Sequence, residues 1–284
     1  MTRLSGTLLF CFCVASIICV APAPAAPTNG LSVVTNISYY GAAALQQADD
    51  YKKAQCQLDL RYPTNRSGFA TVVWFHGGGL TGGKRHFIDL KDPDIAVAAI
   101  GYRLAPKAQH PAYLEDAAAA TAWVIRNIAR YGGDSNKVFV AGHSAGGYLT
   151  AMVGMDPRWL AAHGLSNHQL AGLIPVSAQV TTHFKVKKLQ GDLGEQYRPL
   201  IDEYAPLYYC ASNLPPLCLV LGDRKVEFKC RVEENDLMAV SLKALGNKKV
   251  EFYELPGLNH GTVVTGAMPY AQQFIKKYSA DPLQ

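Results

Sequence analysis

Charged residues are scarce in this sequence, and the basic ones are not gathered into one stretch. They make up 17% of the 284 residues, and the formal net charge is +5. The lysines at 185–188 and 248–249 form short clusters, which are most often part of a solvated surface. The composition therefore does not point to a nucleic-acid partner.

Cysteine is also infrequent, and no two cysteines have the spacing of a metal site. Seven are present, and three of them precede residue 20. The others are Cys56, Cys210, Cys218 and Cys230. In an oxidising compartment these four allow either one bridge among the last three or four free thiols, and the sequence leaves both alternatives open.

Long hydrophobic runs are missing except at the N-terminus, where the run is too short to span a membrane comfortably. Arg3 precedes the apolar residues 8–20, and alanines and prolines follow up to Pro27. This order is typical of a cleaved secretory signal, because the prolines break a helix where a membrane anchor would continue. We predict a signal peptide over residues 1–26, a secreted or periplasmic protein, and no stable membrane insertion after cleavage.

The remainder of the chain alternates apolar strand patterns with helical patterns, and it contains no internal repeat or linker. Two alternating segments, 31–40 and 55–62, predict antiparallel strands. Continuous apolar runs predict strands buried on both faces at 70–75, 95–102, 138–141, 171–176 and 216–221. Helical patterns cover 113–131, 232–245 and 272–278, and a late strand covers 249–255. The sequence predicts one α/β domain over residues 27–284, with a mostly parallel sheet and helices on both faces.

One of these strands runs directly into a sharp glycine-bounded turn with a serine at its apex. The turn is Gly142-His-Ser-Ala-Gly146, and a helical pattern follows it. Glycines on both sides permit a strained strand-turn-helix backbone that leaves the hydroxyl of Ser144 exposed. Ser144 is therefore a candidate nucleophile, and the N–H of Ala145 is placed to stabilise negative charge on an acyl oxygen.

The strand at 70–75 ends in a second glycine-rich segment, His76-Gly-Gly-Gly79. Free N–H groups in such a loop can approach a ligand closely because glycine has no side chain in the way. We predict that Gly78 and Gly79 join Ala145 in an oxyanion hole. A serine nucleophile also needs a base, and His260 follows the last strand in a loop between Gly257 and Gly261. His260 is the predicted base.

Taken together, six segments in this order resemble the α/β-hydrolase superfamily, in its esterase/lipase branch, which includes hormone-sensitive-lipase-like carboxylesterases and kynurenine formamidase. These segments are residues 76–79, 101–106, 131–134, 142–147, 213–216 and 259–261. The resemblance implies the α/β-hydrolase fold and hydrolysis of small carboxylic esters, with short acyl groups as the default. It also implies an acyl-enzyme on Ser144, His260 as base, and neither a metal nor an organic cofactor. An arylformamidase-type amide hydrolase is the alternative.

The sequence departs from this family at the acidic member of the catalytic triad. The family places an Asp or Glu three residues after the glycine that ends the preceding strand, and here that position is Lys225. A lysine cannot accept the imidazole N–H, and its charge opposes an imidazolium. If the segment is extended, Asp223 and Glu227 share one side with Lys225. We predict Asp223 as the acid because it is nearest the strand end, with Glu227 as the alternative.

Two further interpretations stay open at this stage. In one, no acid replaces the missing group, and activity is weaker by roughly four orders of magnitude. In the other, the chain is a hydrolase-like protein with a binding role.

Overall fold

The structure is a computed structural model, and it describes residues 30–280. The predicted signal peptide at 1–26 lies outside these residues. Within them, no helix is both long and apolar enough to cross a membrane.

The centre of the molecule is an eight-stranded sheet with the order β1-β2-β4-β3-β5-β6-β7-β8. The strands are β1 Leu31–Ser38, β2 Gln57–Pro63, β3 Phe69–Phe75, β4 Ala96–Ile100, β5 Gly133–His143, β6 Gly172–Val176, β7 Leu217–Gly222 and β8 Val250–Leu255. Strand β2 is antiparallel to both of its neighbours, and β4, β3 and β5 to β8 run parallel. The sheet is therefore mostly parallel, as predicted.

Helices occupy most of the connections between the strands and cover both faces of the sheet. They are α1 Ala42–Gln46, α2 Asp50–Gln55, α3 Ala112–Asn127, α4 Ala145–Met155, α5 Pro157–Ala161, α6 Phe184–Leu189, α7 Arg231–Ala244 and α8 Val263–Ser279. The last helix begins earlier than the predicted segment 272–278 and contains Pro269. Only the first four N–H groups of a helix lack intrahelical partners, so Pro269, the seventh residue of α8, removes one hydrogen bond from the helix interior.

Strand β3 shows why the apolar runs are continuous. All seven of its residues are buried. Val73 and Phe75 belong to the core on one face of the sheet, whereas Val72 and Trp74 belong to the core on the other face. Because side chains alternate along a strand, a strand covered on both faces must be apolar at every position.

The four cysteines of the described residues are free thiols. Cys56 and Cys218 are fully buried in the two cores. Burial raises the pKa of the Cys56 thiol to about 12, which keeps it protonated at neutral pH. Of the two alternatives left by the sequence, the structure has the free thiols.

Candidate active site

The carboxyl ends of the parallel strands meet at one edge of the sheet, and the candidate functional groups follow these ends. Strands β3, β5, β6, β7 and β8 end at residues 75, 143, 176, 222 and 255. Polar groups just beyond such ends lie in the usual binding crevice of an open α/β sheet.

The turn after β5 exposes the Ser144 hydroxyl through a strained backbone. Ser144 has φ 56° and ψ −116°, which is rare for a residue with a side chain. A Cβ on Gly142 would lie 2.9 Å from the carbonyl oxygen of Phe75, and one on Gly146 would lie 2.6 Å from that of His76. Neither contact is tolerable, so both positions require glycine.

The loop after β8 brings the predicted base to this serine. Nε2 of His260 lies 2.8 Å from Oγ of Ser144, a hydrogen-bond distance. The His260 backbone is held by His143, whose Nε2 lies 2.8 Å from the His260 carbonyl oxygen. Because a carbonyl accepts, Nε2 of His143 carries the proton. Burial first, and then the neighbouring His260, lower the pKa of His143 to about 4, so the ring is neutral at neutral pH.

Glu227 is the acid that contacts His260, so the prediction of Asp223 as the acid is wrong. Oε1 of Glu227 lies 2.6 Å from Nδ1 of His260. The Asp223 carboxylate instead accepts the backbone N–H groups of Gly257 at 2.8 Å and Lys225 at 2.9 Å. It therefore anchors the loop that leads to His260 rather than the imidazole.

The reason for the correction is the local backbone. Residues 223–227 form a helical turn, in which the Glu227 N–H donates to the Asp223 carbonyl oxygen at 2.8 Å. The prediction assumed an extended segment, which would place residues 223, 225 and 227 on one side. In the turn, Glu227 is buried while Lys225 is exposed, so the lysine at the expected acid position does not oppose the histidine.

Glu227 sits in a pocket of hydrogen-bond donors. Its side chain is fully buried, and its carboxylate accepts from Ser177 Oγ at 2.6 Å and from the Phe228 N–H at 2.8 Å. Burial alone raises the pKa of Glu227, but the hydrogen bonds from His260, Ser177 and Phe228 outweigh it and lower the pKa to about 2. Glu227 is therefore ionised at neutral pH, so both of its oxygens can accept hydrogen bonds.

Three backbone N–H groups predicted to form an oxyanion hole lie on the loops next to Ser144. Gly78 and Gly79 have φ 120° and 63°, and a Cβ on the adjacent Gly77 would lie 3.4 Å from the Cβ of Ser144. Ala145 is the first residue of α4. Within residues 30–280, the N–H groups of Gly78, Gly79 and Ala145 donate to no other group, and they are therefore free to bind a substrate oxygen.

A cavity of about 330 Å³ opens beside these residues. Its walls are mostly apolar or aromatic, and they include Phe184, Tyr197, Ile201, Phe228 and Leu237. Phe228 also stacks on His260, with ring centroids 4.1 Å apart. Phe184 approaches the predicted oxyanion loop, since a Cβ on Gly79 would lie 3.6 Å from its ring. Two side chains of the cavity wall, Phe228 and Phe184, therefore also border the histidine and the glycine loop.

Two residues of the site were not singled out for it by the sequence. His143, inside the serine turn, binds the His260 backbone. Ser177 contacts both Glu227 and His260. The available signal was its position directly after the predicted strand 171–176, at the same edge of the sheet as Ser144.

Comparison with known proteins finds similarity to esterases. Residues 58–168 match the model of the BD-FAE family. Esterase LipC of Mycobacterium tuberculosis is 27% identical over 206 residues, which cover 66% of this chain and 50% of LipC. Carboxylesterase NlhH of the same organism is 39% identical over 105 residues, covering 34% of this chain and 32% of NlhH. The chain thus spans about half or less of the length of these curated relatives.

The fold has counterparts among solved structures. A native thermophilic esterase of Thermogutta terrifontis superposes with a TM-score of 0.67 at 21% sequence identity, covering 90% of this chain and 96% of that chain. At this identity the likeness establishes the shared fold. The chain is thus similar to the BD-FAE family over residues 58–168 and to two esterases in sequence, and it shares the α/β-hydrolase fold.

Proposed function

We propose that this protein is a serine hydrolase that cleaves carboxylic esters, with Ser144 as nucleophile, His260 as base and Glu227 as the orienting acid. The observation that carries the proposal is the line of contacts from Ser144 Oγ to His260 Nε2 at 2.8 Å and from His260 Nδ1 to Glu227 Oε1 at 2.6 Å. A serine hydroxyl becomes a useful nucleophile when an oriented imidazole removes its proton.

The reaction would proceed in two halves. Ser144 Oγ attacks the ester carbonyl carbon while His260 Nε2 takes the hydroxyl proton, and the N–H groups of Gly78, Gly79 and Ala145 bind the resulting oxyanion. Cleavage of the C–O bond releases the alcohol, which receives the proton from His260. A water molecule, deprotonated by His260, then cleaves the acyl-enzyme and releases the acid.

Labelling with a fluorophosphonate tests the nucleophile, because such probes bond covalently to an activated serine. We expect the wild-type protein to be labelled at Ser144 and to hydrolyse a p-nitrophenyl ester. The Ser144→Ala variant should do neither while keeping the same thermal unfolding. Folded wild-type protein that is neither labelled nor active would instead indicate a hydrolase-like binding protein. Faster turnover of an aryl formamide than of the ester would favour the amide hydrolase.

One interpretation of the sequence was weak activity because no acid contacts the histidine. Glu227 argues against it, because its carboxylate lies beside His260, where a triad acid acts. Its carboxylate is ionised and within hydrogen-bond distance of His260. We therefore expect full rather than residual turnover.

The cavity extends the proposed substrates beyond short acyl esters. A volume of about 330 Å³ corresponds to on the order of ten water molecules, which is far more than an acetyl group needs. Its apolar walls favour a hydrocarbon or aromatic group. We expect kcat/KM on p-nitrophenyl esters to rise from acetate to hexanoate, and a maximum at acetate would restore the short-acyl preference.

Secretion or export to the periplasm also remains a proposal, and it rests on the N-terminal sequence alone. Arg3, the apolar run 8–20 and the small residues up to Ala26 support it. Mass spectrometry of the protein from its native compartment should find an N-terminus near residue 26 or 27. An intact N-terminus on mature protein would contradict it.

A further inference from the structure

Ser177, the first residue after β6, lies between the acid and the histidine of the candidate site. Its Oγ is 2.6 Å from Oε2 of Glu227 and 2.9 Å from Nδ1 of His260. The residue is fully buried. It belongs to a strand end that supplies no group to the mechanism proposed above.

The hydrogen-bond roles in this cluster follow from the chemistry of each group. If Nε2 of His260 accepts the Ser144 hydroxyl, then Nδ1 carries the ring proton. That N–H points to Glu227 Oε1, with Ser177 Oγ as a second acceptor. The Ser177 hydroxyl donates its own proton to Oε2, because an ionised carboxylate can only accept. Each carboxylate oxygen of Glu227 is thereby held by a separate donor.

The backbone of Ser177 is fixed at both ends in an unfavourable conformation. Its N–H donates to the Val220 carbonyl oxygen at 2.8 Å, and its carbonyl oxygen accepts from Nη1 of Arg231 at 2.8 Å. Its φ of 47° lies in the left-handed region, which is unfavourable for a residue with a side chain. A strained residue at a cluster of functional groups is a reason to look for a function.

We propose that Ser177 is a positioning residue, whose hydroxyl holds the Glu227 carboxylate in the orientation in which Oε1 faces His260. This inference rests on the proposed function. Glu227 projects from a single helical turn and has more rotatable bonds than an aspartate, so its orientation depends on its hydrogen bonds. The Phe228 N–H holds Oε1, and the Ser177 hydroxyl is the donor to Oε2. The Ser177 hydroxyl is also a second acceptor for the Nδ1–H of His260, and this hydrogen bond strengthens when the imidazolium forms.

Two substitutions separate the hydroxyl from the backbone strain. Ser177→Ala removes the hydroxyl and keeps a side chain at the positive φ, whereas Ser177→Gly removes the hydroxyl and relieves the strain. We expect both to lower kcat about tenfold or more with little change in KM. The control is Thr121→Val, which removes another fully buried hydroxyl, on α3, that donates only to the Ala117 carbonyl oxygen. It should leave kcat unchanged.

A double-mutant cycle tests whether Ser177 acts through Glu227. In a Glu227→Gln background, Ser177→Ala should have a much smaller effect on kcat than in the wild type, since coupled residues are not additive. Effects that multiply independently would overturn the inference. So would a Ser177→Gly variant with wild-type kcat, because the hydroxyl would then be dispensable.

A carbon NMR titration of the Glu227 carboxyl distinguishes failure of this inference from failure of the proposed function. Loss of the Ser177 donor should raise the pKa of Glu227 in both variants, whether or not the protein hydrolyses an ester. Wild-type protein without turnover would refute the proposed function alone. An unchanged Glu227 titration in both variants would refute the positioning role alone.

Discussion

Oε1 of Glu227 contacts Nδ1 of His260 at 2.6 Å. The family pattern places the acid at position 225, which is a lysine here, and Glu227 lies two residues further along the chain. The contact is made because residues 223–227 turn helically and carry Glu227 into the protein. In the proposed mechanism, the carboxylate keeps a proton on Nδ1 of the imidazole, so that Nε2 is free to accept the proton of Ser144.

Replacement of this acid should therefore be far more damaging than replacement of its neighbour. We expect Glu227→Gln to lower kcat by roughly three to four orders of magnitude, the scale seen when a triad acid loses its charge. Asp223→Asn should change kcat only a few-fold, because Asp223 binds the Gly257 and Lys225 backbone. Steady-state kinetics on a p-nitrophenyl ester measure both. A larger loss in Asp223→Asn would reverse our assignment.

Lys225 offers a related test of the same assignment. Its side chain is exposed, and Glu227 already contacts the histidine. We expect Lys225→Glu to leave kcat within about twofold of the wild type, as surface substitutions generally have small effects. Lys229→Glu, at another exposed position, indicates how much a nearby charge change contributes by itself. A large rise in turnover specific to Lys225→Glu would show that the acid is not yet supplied in the wild type.

The histidine inside the serine turn should matter through its hydrogen bond to the His260 carbonyl oxygen. His143→Leu leaves that oxygen without its donor, which costs about 1 to 3 kcal/mol when the acceptor is buried. We expect a lower Tm and a lower kcat. His143→Gln can present an N–H in its place and should recover much of both. Equal behaviour of the two variants would mean that ring packing, rather than the hydrogen bond, is what position 143 provides.

Glu227 should also give the fold a measurable sensitivity to acid. Its pKa is about 2 in the folded protein and about 4.3 in an unfolded chain. The ionised carboxylate contributes its full stabilisation at pH values above the unfolded-state pKa. This contribution is lost as the pH falls through the folded-state pKa, because the unfolded chain takes up the proton first. We expect urea unfolding to show a smaller loss of stability between about pH 5 and pH 2 in Glu227→Gln than in the wild type. An identical loss would contradict the lowered pKa.

A buried lysine shapes one wall of the cavity. Nζ of Lys187 on α6 donates to the carbonyl oxygens of Gln196 at 3.1 Å and Arg198 at 2.6 Å, and the segment between them includes the cavity residue Tyr197. Lys187→Met leaves these oxygens without the ammonium. We expect faster proteolysis within residues 190–205 and a higher KM for long acyl esters. Lys188→Met, on the exposed side of the same helix, should match the wild type.

The strand pattern and the serine turn could be predicted from the sequence because each depends on local constraints. Strands covered on both faces must be apolar throughout, and the turn at Ser144 requires glycine at positions 142 and 146. His260 could be predicted because its loop follows the last strand. These signals do not depend on how distant segments pack.

Glu227 and Ser177 could not be predicted, because their roles depend on packing that the local sequence does not specify. Residues 223–227 are compatible with either an extended segment or a turn, and only the turn selects Glu227 over Asp223. Ser177 then acquires its contacts because Glu227 is buried beside it. A serine at a strand end is otherwise unremarkable, so its significance depended on the placement of Glu227.

Five separate strand ends deliver Gly78, Ser144, Ser177, Glu227 and His260 to the same edge of the sheet, across more than 180 residues of chain. No fragment shorter than residues 78–260 holds the whole arrangement. Turnover is therefore a sensitive reporter of assembly, and a nick or local opening at any one crossover should silence the protein while most of its circular dichroism signal persists.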